Sequence, residues 1–261
     1  MIDIVRVLCP NPGPYTGPGT NSYIVGDESG AVVIDPGPVI DSHLDAIVER
    51  LGDVEPFGVL VTHTHPDHAP AANPLGQRLG VPVLGYGPGP DFSPDRSLRD
   101  GDRIAAGART LLAVHTPGHA GDHLCYLVGD VLFTGDHIMG GSTVIIEDAA
   151  AYMTSLRRVL DLAPARLYPG HGGEIGDAAA AVTEYIAHRR AREDQIVAAV
   201  AAGASAVGTI VEAVYGDVDP VLIPAATRQV EVQLEKLTAE GRVRWREGGA
   251  TETKSITLAE E

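Results

Sequence analysis

One short segment, Thr-His-Thr-His-Pro-Asp-His, constrains this chain more than any other part of its sequence. It places His63, His65, Asp67 and His68 directly after the apolar run 58–61. At a strand end, side chains two residues apart face the same way, so His63 and His65 can bind one metal ion. The turn that follows swings Asp67 and His68 toward a second ion. Four metal-competent side chains at the mouth of a buried strand therefore predict a metal site.

Three more residues of the same chemistry follow later in the chain. His119 lies in Thr-Pro-Gly-His-Ala, Asp136 ends the strand-like Val-Leu-Phe-Thr-Gly-Asp, and His171 lies in Tyr-Pro-Gly-His-Gly. A single histidine in a loop is more often solvated or structural than a ligand. The order of these residues and their loop context, taken with the first motif, indicate that they belong to one metal site.

Strand-like and helix-like segments alternate up to about residue 175. Apolar spacing predicts helices over 42–51, with Asp41 as N-cap, over 69–79 and over 147–160. Short apolar strands separate them, and the histidine motifs stand at strand ends. We expect one catalytic domain over 1–175.

The remainder of the chain has a different pattern. Helical spacing covers 177–202, 209–215 and 224–240, and the segments 242–246 and 254–258 then alternate like the two strands of a hairpin. Three helices followed by a hairpin indicate a small winged-helix-like domain over 176–261.

Composition and charge restrict the function classes. The chain holds 44% hydrophobic and 21% charged residues, with no apolar run near the roughly 18 residues of a membrane span. Its start lacks the apolar core of a secretory signal, so we expect a cytoplasmic protein. Two distant cysteines exclude a disulfide framework or a thiolate cluster. A net charge of -16 argues against a protein whose main task is gripping nucleic acid.

The order of the motifs resembles the metallo-β-lactamase superfamily. The resemblance covers about residues 1–175, and it implies an α+β fold, a four-layer αββα sandwich with the site at one edge of two facing sheets. It also implies three ligands for the first metal ion, three for the second, and one bridging carboxylate: His63, His65 and His119; Asp67, His68 and His171; and Asp136. The class B β-lactamases that are best known have a cysteine in place of Asp136, which argues against antibiotic hydrolysis.

A narrower resemblance spans nearly the whole chain. The segments Asn11-Pro-Gly-Pro-Tyr-Thr, Gly19-Thr-Asn-Ser-Tyr and Tyr152-Met-Thr-Ser-Leu resemble the lactamase-beta-like branch, which includes a mitochondrial endoribonuclease. This likeness implies a winged-helix-like tail and, in the mitochondrial member, cleavage of single-stranded RNA. Glyoxalase II is a more distant likeness.

These observations predict a zinc-dependent hydrolase in which two Zn²⁺ ions share a bridging hydroxide and Asp67 acts as the catalytic residue that orients it. Mn²⁺ or iron would suit the same nitrogen and oxygen ligands. The substrate stays open between single-stranded RNA and a small ester or thioester, with a glyoxalase II-like hydroxyacyl-thioester hydrolase as an alternative. A nucleic-acid-binding winged-helix regulator and an iron-dependent oxidoreductase are less favoured, and a homodimer stays open.

Overall fold

The computed structural model describes residues 3–140, 143–245 and 256–259, and it contains two large sheets. The first sheet has six strands in chain order: β1 (Asp3–Leu8), β2 (Asn21–Asp27), β3 (Gly30–Ile34), β4 (Pro56–Leu60), β5 (Val83–Gly85) and β6 (Arg96–Ser97). Strands β1 to β3 pair antiparallel, and β3 to β6 pair parallel.

The second sheet has five strands in the order β11 (Arg166–Pro169), β10 (Val131–Gly135), β9 (Leu124–Val128), β8 (Arg109–His115) and β7 (Arg103–Ala106). Its pairs are antiparallel except for β10 and β11. The helices are α1 (Asp41–Leu51), α2 (Ala72–Leu79), α3 (Ala149–Leu162), α4 (Ala178–Ala201), α5 (Val207–Tyr215) and α6 (Ile223–Ala239), with a short 3-10 helix at Pro220–Leu222.

Three apolar layers hold the two sheets and their helices together. Alternate residues of a strand face opposite sides, so Val32 and Ile34 of β3 pack between the sheets against residues such as Tyr126 of β9. Val33 faces the other way, toward α1 and α2. Behind the second sheet, Leu132 packs beneath α3 and α4. This arrangement confirms the predicted αββα sandwich, and it explains why β3 is an unbroken apolar run: both of its faces are buried.

The predicted helix starts differ from the observed ones for local reasons. Asp41 is not an N-cap: α1 begins at Asp41, after Ile40, whose side chain makes no capping bond. The helix expected from residue 69 begins at Ala72, because residues 65–71 form the turn in which the His68 amide bonds to His65. The helix expected from residue 147 begins at Ala149, because the Asp148 side chain caps it by accepting from the Ala151 amide at 2.8 Å.

The C-terminal helices have an apolar core of their own. Ile196 of α4, Ile210 of α5 and Leu234 of α6 pack together with Trp245. Strand β12 (Val243–Arg244) pairs antiparallel with β13 (Thr257–Leu258). Positions 246 and 254 of the predicted hairpin lie outside the described residues. The winged-helix prediction is confirmed, and the division at residue 175 stays a prediction.

No helix in the described part of the chain is both long enough and apolar enough to cross a membrane.

Candidate metal centre

All seven predicted ligands meet at one edge of the sandwich. The loop after β4 carries four of them, His119 lies between β8 and β9, and Asp136 and His171 follow β10 and β11. Their donor atoms form two groups, in each of which the atoms lie within 4.8 Å of one another. The groups are His63, His65 and His119, and Asp67, His68, Asp136 and His171.

The first group is a triangle of imidazole nitrogens. His63 Nε2 lies 2.9 Å from His65 Nδ1, and His119 Nε2 lies 3.2 and 3.0 Å from those two atoms. Ligands of a tetrahedral Zn²⁺ with bonds of about 2.0–2.1 Å stand about 3.3 Å apart. The triangle therefore fits an ion capping its three nitrogens.

The second group mixes imidazoles with carboxylates. Asp67 Oδ2 lies 3.1 Å from His171 Nε2 and 3.6 Å from His68 Nε2, and the two histidine nitrogens are 3.3 Å apart. This nitrogen and oxygen set suits zinc, manganese or iron rather than a soft thiolate-binding ion.

Asp136 faces both groups with different oxygens. Its Oδ2 lies 3.8 Å from His119 Nε2, and its Oδ1 lies 3.4 Å from both His68 Nε2 and His171 Nε2. Oδ1 is buried and has no hydrogen-bond partner in the described structure. A Cβ on Gly170 would stand 2.7 Å from that oxygen, so only glycine lets the Pro-Gly-His turn approach it. A buried carboxylate oxygen without a donor is the arrangement expected of a metal ligand.

Hydrogen bonds on the far side of four rings direct one nitrogen of each ring into the site. His119 Nδ1 donates to the Ile145 carbonyl at 2.6 Å, and His171 Nδ1 donates to the Gly19 carbonyl at 3.1 Å. The Nδ1 atoms of His68 and His63 bond to Asp35 and Thr62 in the same way. A ring that carries its proton on Nδ1 presents a lone pair on Nε2, which is the form that binds a metal.

Asp35 is a residue of the candidate site that the sequence did not point to. Its Oδ1 accepts from the Thr62 amide at 2.7 Å, and its Oδ2 accepts from the Thr62 hydroxyl at 2.7 Å and from His68 Nδ1 at 2.9 Å. It is buried, with φ at 50°. The available signal was an acidic residue between an apolar strand and Pro36-Gly37, a position from which a side chain can reach the end of the neighbouring parallel strand β4.

The two groups differ in charge. Burial, followed by the neighbouring His68, holds the pKa of His63 well below its usual range, and burial also lowers the pKa of His119 despite Asp136. Burial opposes the charge on His171, but the carboxylates of Asp136 and Asp67, 3.4 and 3.1 Å from its Nε2, raise its pKa to about 9. His63 and His119 are thus neutral at pH 7, whereas His171 holds a proton that a metal ion must displace.

The other histidines take supporting or structural places. His123 stacks on His63 with ring centroids 5.0 Å apart, and its Nδ1 lies 3.0 Å from the Thr116 hydroxyl. His137 is buried away from both groups, and neither of its ring nitrogens has a partner in the described structure. His43 bonds to the Ser22 hydroxyl at 2.8 Å.

A cavity of about 480 Å³ lies between the segment after Asp136 and helix α4. Its lining is part apolar and part polar, and includes Met139, Thr143, Ile175, Tyr185 and His188. Met139 and Ile175 belong to the chain segments that leave Asp136 and His171. The cavity therefore adjoins the segments that follow Asp136 and His171, and none of the seven proposed ligands is among its lining residues.

Comparisons with known proteins agree with this geometry. The sequence profile of the metallo-β-lactamase superfamily matches residues 15–171, and that of the beta-lactamase associated winged helix domain matches residues 207–250.

Three named relatives are about one third identical to this chain. The lactamase-like protein adaB of Aspergillus niger is 34% identical over 92% of this chain and 81% of its own length. The beta-lactamase-like protein 2 homolog of Drosophila melanogaster is 32% identical over 92% and 89%. The atrochrysone carboxyl ACP thioesterase of Aspergillus chevalieri is 34% identical over 82% and 74%.

Two solved structures extend the comparison. A metallo-β-lactamase family protein from Thermus thermophilus superposes with a TM-score of 0.80 at 21% identity, covering 98% of each chain. TTHA1623 in a di-iron-bound form gives a TM-score of 0.54 at 29% identity, over 66% of this chain and 94% of that one. The chain belongs to the metallo-β-lactamase superfamily, and it carries the winged helix domain of the lactamase-like branch.

Proposed function

We propose that this member of a hydrolase superfamily is a dinuclear metal-dependent hydrolase of a small ester or thioester. The observation that carries the proposal is the pair of ligand groups with Asp136 facing both. We assign the first ion to His63, His65 and His119, and the second to Asp67, His68 and His171, with Asp136 as the bridge. Zn²⁺ is the proposed occupant, with Mn²⁺ and iron as alternatives for the same ligands.

Two divalent ions held by these residues would supply Lewis-acid chemistry, which would lower the pKa of water toward neutrality and polarise the scissile carbonyl. The side chains of the site would orient the attacking water and accept its proton. Burial by itself would raise the pKa of Asp67. The charge on His68 and the hydrogen bond to His171 outweigh burial, so the pKa lies below its usual value and Asp67 is ionised at pH 7. Its side chain is 26% exposed, against 10% for Asp136. Asp67 is therefore the carboxylate that an attacking water can reach, and we assign it to orient that water and accept its proton.

Charge and likeness favour the small substrate over RNA. The chain carries a net charge of -16, which repels a polyanion at long range. A relative named as an ACP thioesterase is 34% identical over 82% of the chain. The partly apolar cavity of about 480 Å³ beside the loops of the second group is large enough for an acyl or thiol portion of such a substrate.

Cleavage of single-stranded RNA is the second candidate, and the winged helix domain is the feature that favours it. Domains of this class commonly dock on nucleic acid through basic surfaces. Residues 181–261 hold 9 Lys and Arg against 13 Asp and Glu, a net of -4, whereas a surface that binds nucleic acid is usually basic. A homodimer stays open, and a cytoplasmic location stays a prediction.

Two assays on one metal-loaded preparation separate the candidates. An acyl N-acetylcysteamine thioester and a hydroxyacyl glutathione thioester are offered with a disulfide reagent that reports free thiol, and a labelled single-stranded RNA is offered in parallel. Asp67→Ala, prepared identically, controls for contaminating enzymes. We expect thiol release that Asp67→Ala loses. RNA cleavage with the same dependence on Asp67, and no thiol release, would refute the ester proposal in favour of the second candidate.

A further inference from the structure

The main chain of residues 144–146 contacts the first metal group, although none of these residues is a proposed ligand. The Ile145 carbonyl accepts from His119 Nδ1 at 2.6 Å, which is the bond that directs His119 Nε2 toward His63 and His65. Segment 144–146 belongs to neither sheet and to no helix. Since no strand pairing fixes this segment, other groups must fix the carbonyl that orients the ligand.

Two buried side chains from the C-terminal helices hold the segment on both sides of Ile145. Gln229 of α6 makes a two-way amide pair with Ile146: Nε2 donates to the Ile146 carbonyl at 2.9 Å, and Oε1 accepts from the Ile146 amide at 3.2 Å. Arg189 of α4 donates through Nη2 to the Val144 carbonyl. The two hydrogen bonds satisfy the main-chain amide and carbonyl of Ile146 as a neighbouring strand would, but with side-chain atoms. They join residues that are 83 positions apart in the sequence.

Arg189 is itself held in place, and both side chains are costly to bury. Its guanidinium stands 5.0 Å from the centre of the Tyr152 ring, and Nη1 lies 3.5 Å from Gln229 Oε1. Gln229 and Arg189 are 7% and 4% exposed. A core needs neither an amide nor a guanidinium for packing alone, because apolar residues fill the same space without desolvation cost.

We propose that Gln229 and Arg189 are positioning residues for His119, so that helices α4 and α6 of the tail control how tightly the first group binds its metal ion. They act on His119 through segment 144–146, and neither belongs to a ligand group; Arg189 also lines the cavity proposed for the substrate. The inference rests on the proposed two-metal function. Groups that orient a metal-bound histidine typically change metal affinity by about 10–100-fold when they are removed.

A double-mutant cycle on the full-length protein tests the proposal. Stepwise Zn²⁺ affinities are measured by chelator competition for the wild type, Gln229→Leu, His119→Ala and the double variant. We expect Gln229→Leu to weaken one of the two ions by about tenfold or more in the wild type and by less than about twofold in His119→Ala, because the bond through which it acts is then already gone.

Gln233→Leu is the matched control. Gln233 is buried one turn further along α6, and its Oε1 has no hydrogen-bond partner among the described residues. The control should bind both ions as the wild type does. If circular dichroism shows that Gln229→Leu does not fold, Arg189→Lys replaces it in the cycle. Lysine keeps the charge but lacks the second terminal amino group of the guanidinium.

Wild-type affinity in folded Gln229→Leu, or equal losses in both backgrounds, would overturn the inference alone. Failure of the wild type to bind any metal ion would overturn the proposed function, and the inference with it.

Discussion

Replacing Asp35 by Asn is the sharpest test of how this chain orients its proposed metal ligands. The residue has φ at 50°, a left-handed conformation that asparagine adopts as readily as aspartate. The substitution therefore leaves the backbone unstrained and changes hydrogen bonding alone. An amide keeps one oxygen, which can still accept from the Thr62 amide.

The second carboxylate oxygen becomes an NH₂ group, and that group faces His68 Nδ1 at the 2.9 Å contact. Two donors cannot bond, so His68 must move its proton to Nε2, the atom that lies 3.3 to 3.6 Å from the other members of its group. The loss of one hydrogen bond to a charged group costs about 1.5–3 kcal/mol. This cost corresponds to a drop of about 10–150-fold in affinity for the ion that we assign to His68.

Chelator competition with Zn²⁺ measures this loss directly. Asp95→Asn is the matched control, because its carboxylate accepts from the Val83 amide at 2.8 Å but belongs to neither ligand group. The control should retain wild-type affinity for both ions. Wild-type affinity in Asp35→Asn would refute the reasoning that the carboxylate sets the His68 tautomer.

Three further predictions concern Asp136, the two cysteines and His171. Asp136→Ala should lose bound metal as well as activity, since its two oxygens face the two groups; full occupancy by elemental analysis would reject the bridging role. Burial raises the pKa of Cys9 to about 11 and of Cys125 to about 12, so at pH 8 an aromatic disulfide should label neither thiol until denaturant is added; labelling of the native protein would contradict this. In the metal-free protein the pKa of His171 is raised to about 9, so protonated His171 stabilises the fold below about pH 6.5. That stabilisation is lost as the pH rises through about 9. A melting temperature, measured with chelator present, that stays constant from about pH 6.5 to 9.5 would count against it.

The candidate metal centre was predictable from sequence to the extent that its geometry is local. His63, His65, Asp67 and His68 fall within six positions after an apolar strand, where strand alternation and one turn decide which way each side chain points. The structure brings all four into the two ligand groups. Their metal roles await the experiments above.

The more distant ligands required a resemblance as well as a spacing. His119, Asp136 and His171 stand in glycine turns that many unrelated loops share, and only their order along the chain pointed to one site. The structure places them in those same groups because the strands before them, β8, β10 and β11, end at one edge of the sandwich.

Sequence reasoning failed at the residues that hold the ligands rather than bind metal. Asp35 reaches His68 across 33 positions, and Gln229 reaches Ile146 across 83. A buried acid after a strand, or a glutamine on a helix, has many sterically allowed partners. No local rule selects among those partners, because the choice depends on how two sheets and a tail pack.

The sequence by itself determined the alternation of strands and helices, the position of the ligand motifs at strand ends and the winged-helix pattern, since periodicity and turn chemistry act over a few residues. Only the tertiary structure decided which ring nitrogen of each histidine makes a hydrogen bond away from the metal site, and which residue is its partner. Those bonds join main-chain and side-chain atoms that come within 3.5 Å only after the layers have packed, and hydrogen bonds depend on that separation.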